Sequence, residues 1–258
     1  MLVDSHCHLD YFTEAEIEEL VGRARSAGVG LMVTIGVRVG QAAAVKALTE
    51  RFPDVWGTVG VHPHNAGEPE GLPTVEEIAA LADHTRIIGI GESGLDYFYD
   101  KSPRDLQAEG FRRHIRAARM TGLPIAIHAR QADDDIVRIL REERESGGPF
   151  DFLLHCFSSG AELARQAVAM GGYISFSGIL TFPKSQEIRA IAAELPSERL
   201  LVETDSPYLA PAPLRGKRCE PAYVAHTARV LAETRGITQA EVEALTTANF
   251  RRLFRRVA

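Results

Sequence analysis

The stretch LVDSHCHLD, residues 2–10, carries a short apolar run that ends in two histidines one residue apart, His6 and His8. Alternate side chains of a strand share a face, so His6 and His8 point together and Cys7 points away into the wall behind them. Two neutral imidazoles side by side are half of a metal site. The pair alone more often means two surface histidines near a chain end, since an H-x-H occurs by accident. What decides is whether the run is one of a series. Similar runs recur at 31–35 (LMVTI), 55–61 (VWGTVGV), 86–90 (RIIGI), 124–128 (PIAIH), 151–155 (DFLLH), 172–176 (GYISF) and 199–203 (RLLVE). Segments of helical period separate them. Thr13 with Glu16, Thr74 with Glu77, Ser159 with Glu162 and Thr238 with Glu241 have capping-box spacing, and after Thr13 the apolar Ile17, Leu20, Val21 and Ala24 fall on one face. Further helices are expected over 40–51, 103–121, 131–145, 184–194 and 220–235, with a last one over 239–256.

Eight strands alternating with helices imply a parallel sheet. With 258 residues the expected fold is α/β, a single closed (β/α)₈ TIM barrel over 1–258 with an extra C-terminal helix. No Gly-, Ser- or Pro-rich linker divides the chain. Apolar residues are 45% and charged residues 25%, ordinary for a globular protein. The net charge of −6 argues against a general affinity for polyanions or anionic lipid, so any phosphate must be gripped locally. Three cysteines without a C-x-x-C point to a reducing compartment. With no secretory leader and no apolar run long enough for a bilayer, the expectation is a cytoplasmic protein without membrane contact, and a monomer.

In such a barrel the active site lies at the C-terminal ends of the strands. Those ends carry His6 and His8, then His62 and His64 in GVHPH, Glu92 in GIGESGLDY, His128 in PIAIHAR, His155 in LLHCFSSG, and Glu203 and Asp205 in LLVETDSPY. Six of the nine histidines are there; His84, His114 and His226 fall in helices or at a helix end and read as packing or surface residues. Each strand-end residue alone has a structural explanation, and Asp205 before Ser-Pro suits a turn. Burying them together is costly unless a cation compensates. His6, His8 and Asp205, from adjacent strands, suit one ion; His128 and His155 suit a second, with Glu92 bridging. Nitrogen and oxygen donors suit Zn²⁺, Mn²⁺ or Mg²⁺. No cysteine stands at a ligand position, and Cys156 is expected on the face opposite His155. GIGESG, residues 89–94, matches a dinucleotide fingerprint but runs into LDYFYDKSP instead of a helix, so that reading is set aside.

The ordered set DSHCHLD, GVHPH, GESGLDY, PIAIHAR, HCFSSG, ETDSPYLAP and RGKRCEPAYV resembles the TatD-like metal-dependent deoxyribonucleases of the amidohydrolase-like superfamily, from Asp4 to NFRRLF at 249–254. The resemblance implies a TIM barrel, divalent-metal hydrolysis of DNA, an exonuclease acting at strand ends, and metal roles for His6, His8, Glu92, His128, His155 and Asp205. Glu92 stands where related amidohydrolases often carry a carboxylated lysine. Ser93 replaces a frequent isoleucine, Cys219 replaces the usual asparagine of RGKRNEP, and HCFSSG has an extra serine; none removes a ligand.

The expected chemistry is attack on phosphorus by a water activated between two divalent ions, with Asp205 as ligand and general base and Glu203 as the other candidate base. Arg215, Lys217 and Arg218 after strand 8, and Arg130 after His128, are candidate phosphate contacts. His62 and His64 are expected at the substrate mouth, with Tyr97 and Phe98 as stacking faces. RRLFRR at 251–256 reads as an outer solvated face. The same ions would serve an amide, lactone or aminoacyl ester, so another hydrolase remains open, and a non-catalytic metal-binding scaffold is the remote alternative.

Overall fold

A computed structural model describes residues 1–257; the last position of the expected 1–258 domain lies outside them. Eight parallel strands follow one another in chain order around one sheet: β1 (Leu2–Cys7), β2 (Val29–Ile35), β3 (Val55–Val59), β4 (Ile87–Asp96), β5 (Ile125–Arg130), β6 (Phe152–Leu154), β7 (Tyr173–Phe176) and β8 (Leu200–Val202). The helices between and after them are α1 (Glu14–Ser26), α2 (Ala42–Arg51), α3 (Val75–Leu81), α4 (Arg104–Thr121), α5 (Asp133–Gly147), α6 (Ala161–Ala169), α7 (Gln186–Glu194), α8 (Val224–Arg235) and α9 (Gln239–Leu253). This is the expected (β/α)₈ barrel with an extra C-terminal helix.

The barrel closes just beyond β8. Asp205 N–H donates to His6 C=O at 2.9 Å, and His8 N–H donates to Ser206 C=O at 2.8 Å. Backbone groups of His6, His8, Asp205 and Ser206 thus form the seam, which also aims the side chains of the first three.

Two apolar cores hold the layers. One lies between sheet and helices and includes Ile17, Leu20 and Val21 of α1. The other fills the lumen with Val3, Val33, Ile88, Ala126, Leu153, Tyr173 and Leu201, joined by Phe250, Leu253, Phe254 and Val257 from the chain end. The segment 251–256 is therefore only partly a solvated face: Leu253 and Phe254 are buried, and Arg256 donates to the carbonyls of Ala82, His84 and Ile87.

Thr13, Thr74 and Thr238 form the expected capping boxes. Ser159 does not, because α6 starts one residue later and Gly160 takes the N-cap. The larger difference is β4, which continues six residues past the expected end at 90, through Glu92 to Asp96, and is buried throughout. Close backbone approach permits this. A Cβ on Gly60 would meet the Cα of Gly91 at 2.5 Å, so only glycine lets β3 run against β4 beneath Glu92.

Candidate metal centre

Beyond the C-terminal ends of the strands opens a cavity of about 1120 Å³. Its floor is Glu92, with a side chain 3% exposed. The two carboxylate oxygens of Glu92 face different imidazoles. Oε2 lies 3.3 Å from His6 Nε2 and 3.9 Å from His8 Nε2. Oε1 lies 2.7 Å from His155 Nε2, 3.0 Å from His128 Nδ1 and 3.3 Å from His62 Nε2. Asp205 Oδ1 completes the first side, 3.5 Å from His8 Nε2 and 3.8 Å from His6 Nε2. Donors on one tetrahedral Zn²⁺, at bonds of about 2.0–2.1 Å, stand about 3.3 Å apart, so these spacings fit ligands gathered round an ion. Asp205 reaches the site from a left-handed backbone (φ 59), and its C=O accepts from Tyr208 N–H, so it is turn residue and site residue at once.

A second layer of carboxylates sets the far nitrogens of two rings. Asp96 Oδ2 lies 3.0 Å from His128 Nε2, and Glu203 Oε1 lies 3.3 Å from His155 Nδ1. With an ion between Glu92 and these rings, each far nitrogen would donate to its carboxylate and each near nitrogen would be free to ligate. Asp96 is itself fixed by the N–H groups of Phe98 and Tyr99 and also faces His64 Nε2 at 2.8 Å. Asp96 was not among the residues singled out from sequence. The available signal was parity: in an unbroken strand it shares a face with Glu92, but the expected strand stopped at 90.

The chemistry of the donor set fits a divalent ion. Neither ring nitrogen of His6 makes a hydrogen bond, and His8 Nδ1 and Glu203 Oε2 are likewise buried without a partner. Such orphans are costly in a dry site. The acids and imidazoles also shift one another strongly. Burial opposes ionisation of Glu92, but the surrounding imidazoles, His155 and His62 foremost, outweigh it and hold its carboxyl well below the usual range. Burial likewise disfavours charge on His155, yet Glu92 and Glu203 overcome it and push its pKa well above the ordinary histidine value. For His62 burial prevails, and its pKa falls to about 4.

The structure thus brings His6, His8, Glu92, His128, His155 and Asp205 around one point, with Glu203 behind His155. His62 and His64 line the cavity; His62 sits deep, its side chain 13% exposed. Arg130 is at the rim, its guanidinium 4.3 Å from the ring centroid of Phe98 and 4.8 Å from that of Tyr99. Tyr97 points elsewhere: its hydroxyl donates to Asp135 and Arg104 covers its ring. Arg215, Lys217 and Arg218 lie outside the cavity lining. Arg215 stacks on Phe182, and Arg218 is held by Glu16 and the Tyr11 carbonyl. Tyr11 and Tyr208 line the opposite rim; Tyr208 lies within ETDSPYLAP and Tyr11 directly follows DSHCHLD, but neither was singled out from sequence. Cys156 is not on the face opposite His155. β6 ends at Leu154, strand alternation lapses, and a φ of 44 brings Cys156 into the cavity wall with Sγ 3.2 Å from Ser177 Oγ.

A profile of the family described as "TatD related DNase" matches residues 3–255. The chain belongs to that family. It is 39% identical to the uncharacterized metal-dependent hydrolase YabD of Bacillus subtilis, covering 99% of both chains. It is 33% identical to a protein of Cronobacter sakazakii named 3'-5' ssDNA/RNA exonuclease TatD, covering 92% of this chain and 91% of that one. The crystal structure of YJJV, a TatD homologue from Escherichia coli, superposes with a TM-score of 0.89 at 26% identity, covering 98% of both chains. In this TatD-family chain the motifs DSHCHLD, GESGLDY and ETDSPY are the segments that build the floor and seam of the cavity.

Proposed function

We propose that this TatD-family metal-dependent hydrolase cleaves phosphodiester bonds at the ends of single-stranded nucleic acid, with DNA as its substrate. The observation that carries the reading is the pairing of floor and rim. Below, Glu92 turns one oxygen to His6 and His8 and the other to His128 and His155. Above, exposed rings stand on two sides, Phe98 and Tyr99 beside Arg130 and Tyr208 beside Tyr11. Aromatic faces take unpaired bases, and a guanidinium takes phosphate. The Cronobacter relative's name, an exonuclease on single-stranded DNA and RNA, supports the same class.

His6, His8 and Asp205 would hold one divalent ion and His128 and His155 another, with Glu92 shared. Zn²⁺ and Mn²⁺ suit so many imidazoles better than Mg²⁺. Bound there, such ions supply Lewis acidity toward phosphoryl oxygens and lower the pKa of water. The chain does the rest. Asp205, 14% exposed toward the cavity, orients the attacking water and accepts its proton. Glu203 is fully buried, and its Oε1 accepts from Cys156 N–H and faces His155. That commitment makes Glu203 a positioning residue for His155 and leaves the base role to Asp205.

The test is metal-depleted protein refilled with Zn²⁺, Mn²⁺ or Mg²⁺ and given end-labelled single- and double-stranded DNA, with an aminoacyl ester as counter-substrate. Stepwise shortening of single strands that needs the metal is expected. Turnover of the ester with intact DNA under every metal would replace the nuclease reading by that of another hydrolase.

A further inference from the structure

His62 lies as close to Glu92 as the ligand histidines do, yet its proton sits on the wrong nitrogen for a ligand. Pro63 opens a short 3₁₀ turn, Pro63–Asn65, and has no N–H. The next amide, His64 N–H, donates to His62 Nδ1 at 3.0 Å, so the His62 side chain caps the turn. A backbone amide only donates, so Nδ1 must keep its lone pair and the ring proton of neutral His62 must be on Nε2. That Nε2–H faces Glu92 Oε1 at 3.3 Å. By spacing alone His62, Glu92 and His128 form a metal-compatible group. By polarity they differ: His128 and His155 have carboxylates on their far nitrogens that can hold the ring proton when the near nitrogens bind an ion, whereas the far nitrogen of His62 accepts a backbone N–H and leaves the ring N–H inward. Binding a metal through His62 Nε2 would require an imidazolate or loss of the cap.

We propose that His62 is not a metal ligand but a fixed, neutral hydrogen-bond donor whose Nε2–H engages a phosphoryl oxygen of the substrate at the cavity floor; this role rests on the phosphodiester reading above. The ring is packed edge-on against His128, with centroids 4.6 Å apart at 64°. A donor so held needs no reorganisation when charge builds on phosphoryl oxygen. Unlike a lysine or arginine, it adds no full charge beside the cations the site gathers.

Three measurements on the whole protein test this. First, ¹⁵N-histidine NMR of Zn²⁺-loaded protein should show His62 protonated at Nε2 and unprotonated at Nδ1. Second, His62→Ala should keep the wild-type metal content after dialysis, while His128→Ala, as control, loses metal. Third, His62→Ala should lower kcat on single-stranded DNA by about 10²–10³-fold, the usual loss for one pre-aimed donor, and His62→Gln, whose amide restores an N–H, should recover to within roughly tenfold of wild type. A metal-coordinated His62 Nε2 in the NMR spectrum, metal loss in His62→Ala matching the control, or a His62→Gln no better than the alanine variant each overturns the proposal. If the alanine variant fails to fold, the wild-type spectrum still decides the tautomer. A wild type that leaves DNA intact overturns the nuclease reading and the phosphoryl contact with it, while the spectrum and the metal content still report separately on whether His62 is a ligand.

Discussion

Glu92 is one carboxylate presenting each of its oxygens to a different group of imidazoles. Glu92→Gln keeps the shape and removes the charge both groups face. It should weaken divalent-metal binding by more than about 100-fold, read by competition with a chromogenic chelator, with far-UV circular dichroism unchanged. Asp96 acts one step back. Asp96→Asn removes the acceptor that holds the proton on His128 Nε2, and should weaken metal binding by about 10–100-fold, the usual range for such an outer partner. If Asp96→Asn binds as tightly as wild type, the ring of His128 is held by something other than this contact. At this scale the sequence was informative where side-chain type is rare. Imidazoles and acids closing apolar runs stand out, and the structure gathers them. It was silent where role depends on a partner far along the chain. The commitment of Glu203 to His155 and of His62 to a backbone amide are facts of geometry, not of residue type.

Between elements, α4 and α5 are locked by one buried acid. Glu143 of α5 has a side chain 1% exposed and meets Arg112, Arg116 and Arg119 of α4. Burial opposes its ionisation, but Arg116, then Arg112 and Arg119, outweigh it and hold its pKa below the ordinary glutamate value. A depressed carboxylate stabilises the fold above its unfolded pKa and loses that contribution as pH falls through the folded value. Glu143→Gln should therefore cost about 2–3 kcal/mol at neutral pH, the scale of hydrogen bonds to charged groups. The gap should close as pH drops below the ordinary carboxylate range, measured by urea unfolding at several pH values. A constant gap down to strongly acid pH would contradict the ionic origin. Element order and type were readable because apolar runs alternate with segments of helical period, three of them opened by capping boxes. Element ends were less so: the apolar run of β4 stops at 90, whereas here Gly60 and Gly91 let two backbones meet and the strand continue.

For the whole molecule, the lumen is closed at one end by the chain end and opens at the other into the candidate metal centre. Phe254 belongs to the lumen core from the chain end, so Phe254→Ala should destabilise the fold by about 3–5 kcal/mol in chemical denaturation while metal stoichiometry in the folded fraction is retained. On the proposed nuclease reading, with an overall charge of −6, phosphate is gripped at the rim, where Arg130 and Lys101 line the cavity and the third cation there, Arg38, is paired with Glu68. Two such contacts predict a slope of about −1.4 for log K against log salt on single-stranded DNA, falling to about −0.7 in Arg130→Ala. A steep slope unaffected by that change would place the nucleic acid elsewhere. The basic loop 214–218 looked like the phosphate grip because charge density is visible in sequence, whereas the stacking of Arg215 on Phe182 and the pairing of Arg218 with Glu16 are not. The most direct measurement of the central claim is anomalous diffraction from crystals grown with Zn²⁺ or Mn²⁺. Two peaks are expected, one beside each oxygen of Glu92, the first within bonding distance of His6, His8 and Asp205 and the second of His128 and His155. Peaks confined to other parts of the surface, with the Glu92 carboxylate flanked by none, would contradict it.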